Sequence, residues 1–348
     1  MRIAVIGAGA VGSVLAGCLA SAGHRVVLVG RTGPPEPTLG TLELFGPGDR
    51  RRSLRVERLA SSGRLPGTDL DAAVLAVKRY DLPEAAAILG TWPALVAVTV
   101  QNGVGAEELV TALRPGSPLV AASLTAAAEL GLEGEVRWLK RGGIGLAPAS
   151  PEAPAHRASR ALASAFAAGG MPARTFQNAA AMKWSKLLAN LVGNATSALL
   201  ELDVGAIYAD RALFDVERRQ EMEALAVIDA LGLRLVALPG ADVRMLVRAF
   251  RVPAPIVRPI LSRVLGGARG GKLPSLRIAL SEAPRPTEIA WLNGAVASAA
   301  ERLGVSAPVN TSLHRLVEEA AANPLRRAWF RGRPDRLLAE LADTAAAG

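Results

Sequence analysis

The stretch Arg2-Ile3-Ala4-Val5-Ile6 runs directly into Gly7-Ala8-Gly9-Ala10-Val11-Gly12. A short apolar run of this kind reads as a buried parallel strand. Residues 13–22, after the glycines, carry Val14, Leu15, Cys18 and Leu19 on one helical face, and residues 25–29 read as a second strand. In this setting each glycine has a task. Gly7 permits a tight turn, Gly9 lets backbone approach a pyrophosphate, and Gly12 lets the helix pack close to the strand. The helix N-terminus then faces the phosphates. Strand, G-x-G-x-x-G, helix and strand together predict a Rossmann-type dinucleotide site, with residues 7 to 12 against the cofactor.

The end of the second strand points to the kind of dinucleotide. NAD-preferring sites place Asp or Glu there for the ribose 2′-hydroxyl. This chain has Gly30-Arg31-Thr32, with no acid in that position. A guanidinium suits a 2′-phosphate through charge-assisted hydrogen bonds. The expectation is NADP(H), with Arg31 in contact; the alternative is a solvated loop arginine. Arg2 before an apolar stretch also imitates a secretory leader, but the glycine spacing accounts for the segment better, because cleavage would remove the strand.

Composition removes several other classes. With 348 residues there is chain enough for two domains with cores, and an apolar half excludes a disordered protein. No apolar run approaches a membrane span. Cys18 is the one cysteine and reads as a core residue. His24, His156 and His314 fit no metal-ligand spacing, so no metal is expected. These features suit a reducing cytoplasm. The net charge of +9 is carried mostly by arginine, in short clusters such as Arg50-Arg51-Arg52 and Arg326-Arg327 without interleaved aromatics. They read as solvated faces rather than a nucleic-acid stripe, while the positive field favours an anionic cofactor and an anionic substrate.

The first half alternates apolar strands (72–77, 95–100, 119–122, 143–147) with helical stretches (82–89, 106–113). That alternation means a parallel, doubly wound sheet. A proline-rich break at 148–154 precedes a helix to about residue 168, and 171–176 reads as a last strand. From 178 onward the periodicity is helical: 178–200, 210–231, 287–303 and 311–322, with Gly232 and Gly304 where C-terminal caps belong. Residues 239–272, rich in Pro, Gly and Arg, are legible only around 241–250. The fold class is therefore an α/β doubly wound N-terminal domain, residues 1–176, followed by an all-α domain, residues 177–348.

Four places hold polar residues where the pattern would take apolar ones. Lys78 follows the strand at 72–77, and Gln101-Asn102-Gly103 follows the strand at 95–100. Ligands bind outside the carboxyl ends of parallel strands, so both point at the cofactor; the alternative is ordinary turn residues. Lys186, Asn190 and Asn194 stand four apart and share a helical face with Lys183 and Ser197. A solvated face is the competing reading, although asparagine is a poor helix former. Last, Thr287 reads as an N-cap with Glu288 in the first helical turn, where the helix dipole alone would favour a carboxylate.

Together these motifs resemble the ketopantoate reductase (2-dehydropantoate 2-reductase) family. The stretches that match are Gly7 to Gly12, Val77-Lys78 with Asp81, and Gln101-Asn102-Gly103-Val104-Gly105. They continue with Lys186-Leu187-Leu188-Ala189-Asn190 and Asn194, Thr287-Glu288-Ile289 with Asn293-Gly294, and residues 304–311 from Gly304 to Thr311. They keep the family's order over nearly the whole chain. The first is generic; the Lys/Asn helix combined with the last two is specific. The resemblance implies NADPH-dependent reduction of a 2-oxo acid on the route to pantothenate. It implies Lys186 as general acid or carbonyl polariser, and Glu288 as the group that holds the substrate hydroxyl and orients the lysine. Lys78, Asn102, Asn190 and Asn194 would line the cofactor and substrate site. The implied partner is a small anionic 2-oxo acid, with no nucleic acid or membrane, and a homodimer is left open.

There are departures. The family commonly has an acid where this chain has Ala290. Ser275 is the best match to the family's substrate-binding serine, but its spacing to Glu288 looks one residue long and the usual aspartate between them is missing. Residues 239–272 look like an insertion. A relative acting on another 2-oxo acid is therefore the second reading. A non-catalytic NADP(H)-binding sensor is the third, and the joint presence of Lys186 and Glu288 counts against it.

Overall fold

The computed structural model describes the chain apart from residues 49, 64, 66–68, 90, 91, 93, 132, 133, 268–272, 283–285, 347 and 348. It divides into two compact units. The first comprises residues 1–183 together with 237–241, and the second comprises 184–236 and 242–348. The division falls inside a helix, between Lys183 and Trp184, and not at the expected 176/177.

The first unit runs β1 (Arg2–Ile6), α1 (Ala10–Ser21), β2 (Arg25–Gly30), β3 (Thr38–Gly46), β4 (Arg50–Ala60), β5 (Ala72–Leu75), α2 (Leu82–Ile88), β6 (Val96–Thr99) and α3 (Ala106–Leu113). It continues with β7 (Leu119–Leu124), β8 (Ala127–Leu130), β9 (Val136–Lys140), β10 (Ile144–Pro148), α4 (Ala153–Ala168), β11 (Ala173–Thr175) and the first residues of α5 (Ala179–Leu191). Among the described residues the strands form one sheet in the order β11-β10-β7-β6-β5-β1-β2-β4-β3-β9-β8. Its centre, β7 through β4, is parallel.

Alternation along β1 shows that both faces are covered. Ile3 and Val5 enter one core cluster with α1 and α4, and Ala4 and Ile6 enter another with α2 and α3. Period-two side chains on a strand buried from both sides produce the unbroken apolar run seen in the sequence.

The purely parallel sheet expected from sequence is extended by antiparallel pairs at both flanks, β7 with β10 and β3 with β4. The hairpin β3–β4 and the pair β8–β9 are not among the strands expected from sequence; only part of each is buried, Leu42, Leu44 and Val56 in the hairpin and Ala128, Val136 and Trp138 in the pair. Arg50, Arg51 and Arg52 do lie exposed, but on a strand. Arg51 bonds Glu43 across the hairpin at 2.8 Å.

The second unit holds the rest of α5, then α6 (Asn194–Leu200), α7 (Val204–Ala209), α8 (Arg211–Ala230), α9 (Val243–Phe250), α10 (Ala254–Gly267) and α11 (Ser275–Ser281). It ends with α12 (Asn293–Leu303), α13 (Pro308–Ala322), α14 (Pro324–Phe330) and α15 (Pro334–Ala346). The described part of 239–272 is thus largely helical, and Ser262 Oγ of α10 donates to Gly205 O of α7 at 2.8 Å. Residues 268–272 lie outside the described residues. No helix among the described residues is long and apolar enough to cross a membrane.

Two helices differ from the sequence reading. The single helix expected over 178–200 breaks at Gly193, which takes φ +57°. Its N–H donates to the Glu217 carboxylate of α8 at 2.7 Å, so Asn194 opens a new helix instead of extending α5. The helix expected over 287–303 begins only at Asn293. Its side chain is fixed by Gln220 Oε1 and Asn310 Oδ1, each at 3.0 Å. Glu288 therefore precedes a short 3₁₀ turn, Ile289–Trp291, and does not occupy the first turn of an α-helix.

Candidate functional site

In the first unit the glycine loop has the geometry its spacing predicts. Gly7 adopts φ +113°, and a Cβ there would stand 2.6 Å from the Ala76 carbonyl oxygen. A Cβ on Gly12 would stand 1.8 Å from the Gly7 oxygen, so the close approach of α1 to the turn after β1 requires glycine at 12, while Gly7 is required by its positive φ and by the chain leaving β5. A Cβ on Gly9 would meet nothing within 4 Å. Gly9 precedes α1, no side chain caps that helix, and its first turn holds no acid. The amides of Ala10, Val11 and Gly12 belong to the turn whose N–H groups have no intrahelical acceptor. An open flank, an uncapped N-terminus and no local negative charge fit a pyrophosphate. Ala8 and Val11 hold the backbone between the glycines.

Arg31 stands just past β2 with its side chain 86% exposed, and its guanidinium donates to Asp81 Oδ2 at 3.1 Å. The sequence places no acid beside Arg31, but the fold brings one from the turn after β5. Lys78 is exposed at that same turn, immediately before the 3₁₀ segment Arg79–Asp81.

Gln101 is buried and braces two strand ends. Its Nε2 donates to Leu75 O at 2.6 Å and to Val77 O at 3.0 Å, while Val100 N–H donates to its Oε1 at 3.2 Å. Asn102, half-buried, follows at once. Gly103 and Gly105 turn the chain with φ +78° and +92°, and Arg79 Nη2 holds the Gly105 carbonyl at 2.8 Å. Lys78 and Asn102 thus lie on adjacent strand ends joined through one glutamine side chain.

Lys183 also belongs to this unit. Its Nζ donates to Gln101 O at 2.7 Å and Ala122 O at 3.4 Å, and pairs with Glu107 Oε1 at 3.2 Å. The same carboxylate oxygen accepts from Thr99 Oγ1 at 2.6 Å. Sequence reasoning put Lys183 on a helical face with Lys186 but missed this network, whose members lie far apart in the chain.

In the second unit, α5 and α6 carry the Lys/Asn pattern. Lys186 is half-buried and donates from Nζ to Asn190 Oδ1, one turn on, at 2.8 Å. Asn194 is 2% exposed. Its Oδ1 accepts from Leu276 N at 3.1 Å and its Nδ2 donates to Ser275 Oγ at 3.3 Å. The structure thus brings Asn194 and Ser275 together at the start of α11, with much of Asn194 committed to that helix. Lys183 of α5 and Asn194 and Ser197 of α6 are buried, so they form no solvated face, and the break at Gly193 divides the single face expected from sequence between two helices. Glu288 is buried just before its 3₁₀ turn.

Beneath the α5–α6 break lies a buried carboxylate that sequence reasoning did not single out. Glu217 accepts from Gly193 N–H, from Thr196 Oγ1 at 2.6 Å and from Tyr208 Oη at 3.1 Å. Burial raises its pKa, and these hydrogen bonds oppose the rise. One helical turn on, Glu221 is buried with neither oxygen hydrogen-bonded. Burial, with the charge of Glu217 second, holds its pKa well above the usual carboxylate range. A polar residue on the inward face of α8 is the only signal either left in the sequence. Among the described residues no group of three or more His, Cys, Asp or Glu could hold a metal ion.

Comparison with known proteins follows the same two halves. Residues 3–151 match the family model described as ketopantoate reductase PanE/ApbA, and residues 178–321 match its C-terminal counterpart. A 2-dehydropantoate 2-reductase from Pyrococcus horikoshii is 26% identical over 332 residues, covering 91% of this chain and 97% of that protein. The crystal structure of a PanE/ApbA family ketopantoate reductase from Ralstonia eutropha JMP134 is 27% identical. It aligns with a TM-score of 0.73 over 92% of this chain and 99% of that one. D-mandelate dehydrogenase, solved with NADH and anilino(oxo)acetate, shares the fold at 20% identity, with a TM-score of 0.75 over 92% and 99%. A glycine loop shaped for a dinucleotide, a lysine–asparagine helix and family models over both units lead to one assignment: the chain belongs to the ketopantoate reductase family, nicotinamide-dependent oxidoreductases that act on C=O and CH–OH groups.

Proposed function

We propose that the chain reduces 2-dehydropantoate (ketopantoate) to (R)-pantoate with NADPH, in the cytoplasm, as a step of pantothenate biosynthesis. The first unit serves as the NADP-binding domain and the second as the substrate and catalytic domain. The observation that carries this reading is Lys186. Its ammonium is half-buried and held by Asn190 Oδ1 at 2.8 Å, within the stretch matched by the family's C-terminal model.

When bound, the cofactor supplies a hydride to the carbonyl carbon. The residues of the chain supply the rest. Negative charge develops on the carbonyl oxygen, and the Lys186 ammonium stabilises it and gives it a proton from Nζ. Solvent then returns a proton to the amine. Asn190 limits the arc of the lysine head. Glu288 accepts a hydrogen bond from the substrate hydroxyl and orients Lys186, while Ser275 and Asn194 support the substrate side. Gly7 to Gly12 receive the pyrophosphate, and Lys78 and Asn102 complete the cofactor site. Arg31 receives the 2′-phosphate, exchanging its bond to Asp81 for bonds to phosphate oxygens.

The test follows loss of reduced-nicotinamide absorbance with ketopantoate, its analogue lacking the 4-hydroxyl, and a panel of other 2-oxo acids. Wild type should favour ketopantoate with NADPH, and Glu288→Ala should lose most of the preference for the hydroxylated compound. Equal turnover of both compounds by wild type would withdraw ketopantoate as substrate. A second reading, reduction of a different 2-oxo acid, draws support from Ala290 and from the engagement of Ser275 with Asn194. A better substrate within the panel would establish it.

A further inference from the structure

Lys183 is a buried cation that the proposed reaction does not use. Its side chain is 3% exposed, and the three N–H donors of its ammonium have three acceptors: Gln101 O, Ala122 O and Glu107 Oε1. Burying an ammonium carries a large desolvation penalty, and apolar residues of similar volume often stabilise as well or better than a buried ion pair. Stability alone therefore does not account for a lysine here.

What the ammonium holds is informative. The shortest of its contacts is to the Gln101 carbonyl, at 2.7 Å. In a planar trans peptide the carbonyl of one residue and the N–H of the next point to opposite sides. Fixing Gln101 O toward Lys183 therefore aims the Asn102 N–H away from the buried ammonium. The Gln101 side chain meanwhile grips Leu75 O and Val77 O, at the strand end that leads into Lys78. Glu107, in the first turn of α3, ties the same ammonium to Thr99 of β6. Lys183 thus stands where backbone and side-chain restraints on the Asn102 turn converge.

We propose that Lys183 is a positioning residue for the nicotinamide dinucleotide site. Acting through the Gln101 carbonyl, it presets Asn102 relative to the Lys78 turn. This rests on the reading of Lys78 and Asn102 as cofactor contacts, and the experiment separates the two. Wild type, Lys183→Met, Glu107→Gln, the double variant and Lys183→Arg are compared. The readouts are Tm and the dissociation constant of NADPH and NADH, measured by quenching of protein fluorescence.

Lys183→Met leaves the half-buried Glu107 without its cation, so its Tm should fall. Glu107→Gln keeps the Gln101 tether and should bind dinucleotide within about threefold of wild type, as an uninvolved counter-ion would. The double variant removes the orphaned charge and should recover most of the Tm. It should still bind dinucleotide about tenfold or more weakly, the scale of one lost charge-assisted hydrogen bond. Lys183→Arg retains the charge in a larger planar head and should fold yet bind weakly, which supplies the result if the methionine variants fail to fold. Wild-type affinity in the double variant, or in folded Lys183→Arg, overturns the proposal and leaves a structural ion pair. Absence of dinucleotide binding by wild type instead overturns the cofactor reading itself.

Discussion

The two units build their candidate sites from different material. In the first, the working groups are largely backbone: amides at the start of α1, and turns at strand ends shaped by Gly7, Gly103 and Gly105 at positive φ. In the second they are side chains, Lys186, Asn190, Asn194, Ser275 and Glu288, drawn from α5, α6, α11 and the turn before α12. The difference follows from the task each is assigned. A pyrophosphate is recognised by a row of N–H groups, which any sequence can supply if the chain can turn tightly enough. Proton delivery needs a titratable head at one position, and a helix interior must then be organised to hold it.

The contrast can be broken most decisively at Lys186. Lys186→Ala should lower kcat by about 10²–10⁴-fold, the usual worth of positioned acid–base catalysis, and leave the dinucleotide dissociation constant unchanged. Loss of cofactor affinity with turnover intact would move Lys186 out of the side-chain site and into the binding site.

The backbone site is probed by a pair of substitutions with opposite signatures. Gly12→Ala forces a Cβ to within 1.8 Å of Gly7 O and should cost about 3 kcal/mol or more, the upper range for overpacking, seen as a lowered denaturation midpoint. Gly9→Ala meets no atom within 4 Å, so it should keep the wild-type midpoint while dinucleotide titration shows weakened binding. Full affinity in Gly9→Ala would mean that no phosphate approaches that flank.

In the first unit Arg31 is the side chain proposed to select the phosphorylated cofactor. Arg31→Asp should cost NADPH about 1–3 kcal/mol of binding, the range for a charge-assisted hydrogen bond, and leave NADH affected little. Equal losses for the two cofactors would mean that Arg31 meets no 2′-phosphate.

A pH-dependent effect tests the interior of the second unit. In the native state burial keeps Glu221 protonated well above its ordinary value of 4.5. Above that pH the unfolded chain binds fewer protons than the native one, so stability falls as pH rises through the native pKa and is fully present below 4.5. Glu221→Gln should therefore be more stable than wild type at pH about 8. The gap should close near pH about 4. Denaturant unfolding at the two pH values measures this; a gap that does not change with pH would contradict it. The smallest expected effect is at Cys18, whose thiol is buried and pushed up to about 12. It should resist thiol reagents until the protein unfolds.

Where structure follows from neighbours in the chain, the sequence was readable. The order of β1, α1 and β2, the tasks of Gly7 and Gly12, the α/β-then-α division and the burial of Cys18 all rest on short-range pattern. Apolar period and glycine spacing are local properties, and the parallel sheet centre converts them directly into layers. The flanking hairpin β3–β4 escaped because its apolar alternation is short, Leu42 and Leu44 on one strand and Leu54 and Val56 on the other, and is flanked by exposed polar and charged residues.

Tertiary structure alone decided the rest. Only packing brings Asp81 to Arg31, Lys183 to Gln101 and Glu107, and Glu217 to the Gly193 amide that splits α5 from α6. The same holds for Glu288, displaced from a helical first turn once Asn293 is fixed by Gln220 and Asn310. Each is a polar contact between residues distant in the chain, Asn293 and Asn310 being the nearest pair. Such contacts leave no periodic trace: a sequence states which groups can donate and accept, and the folded interior decides which of them meet.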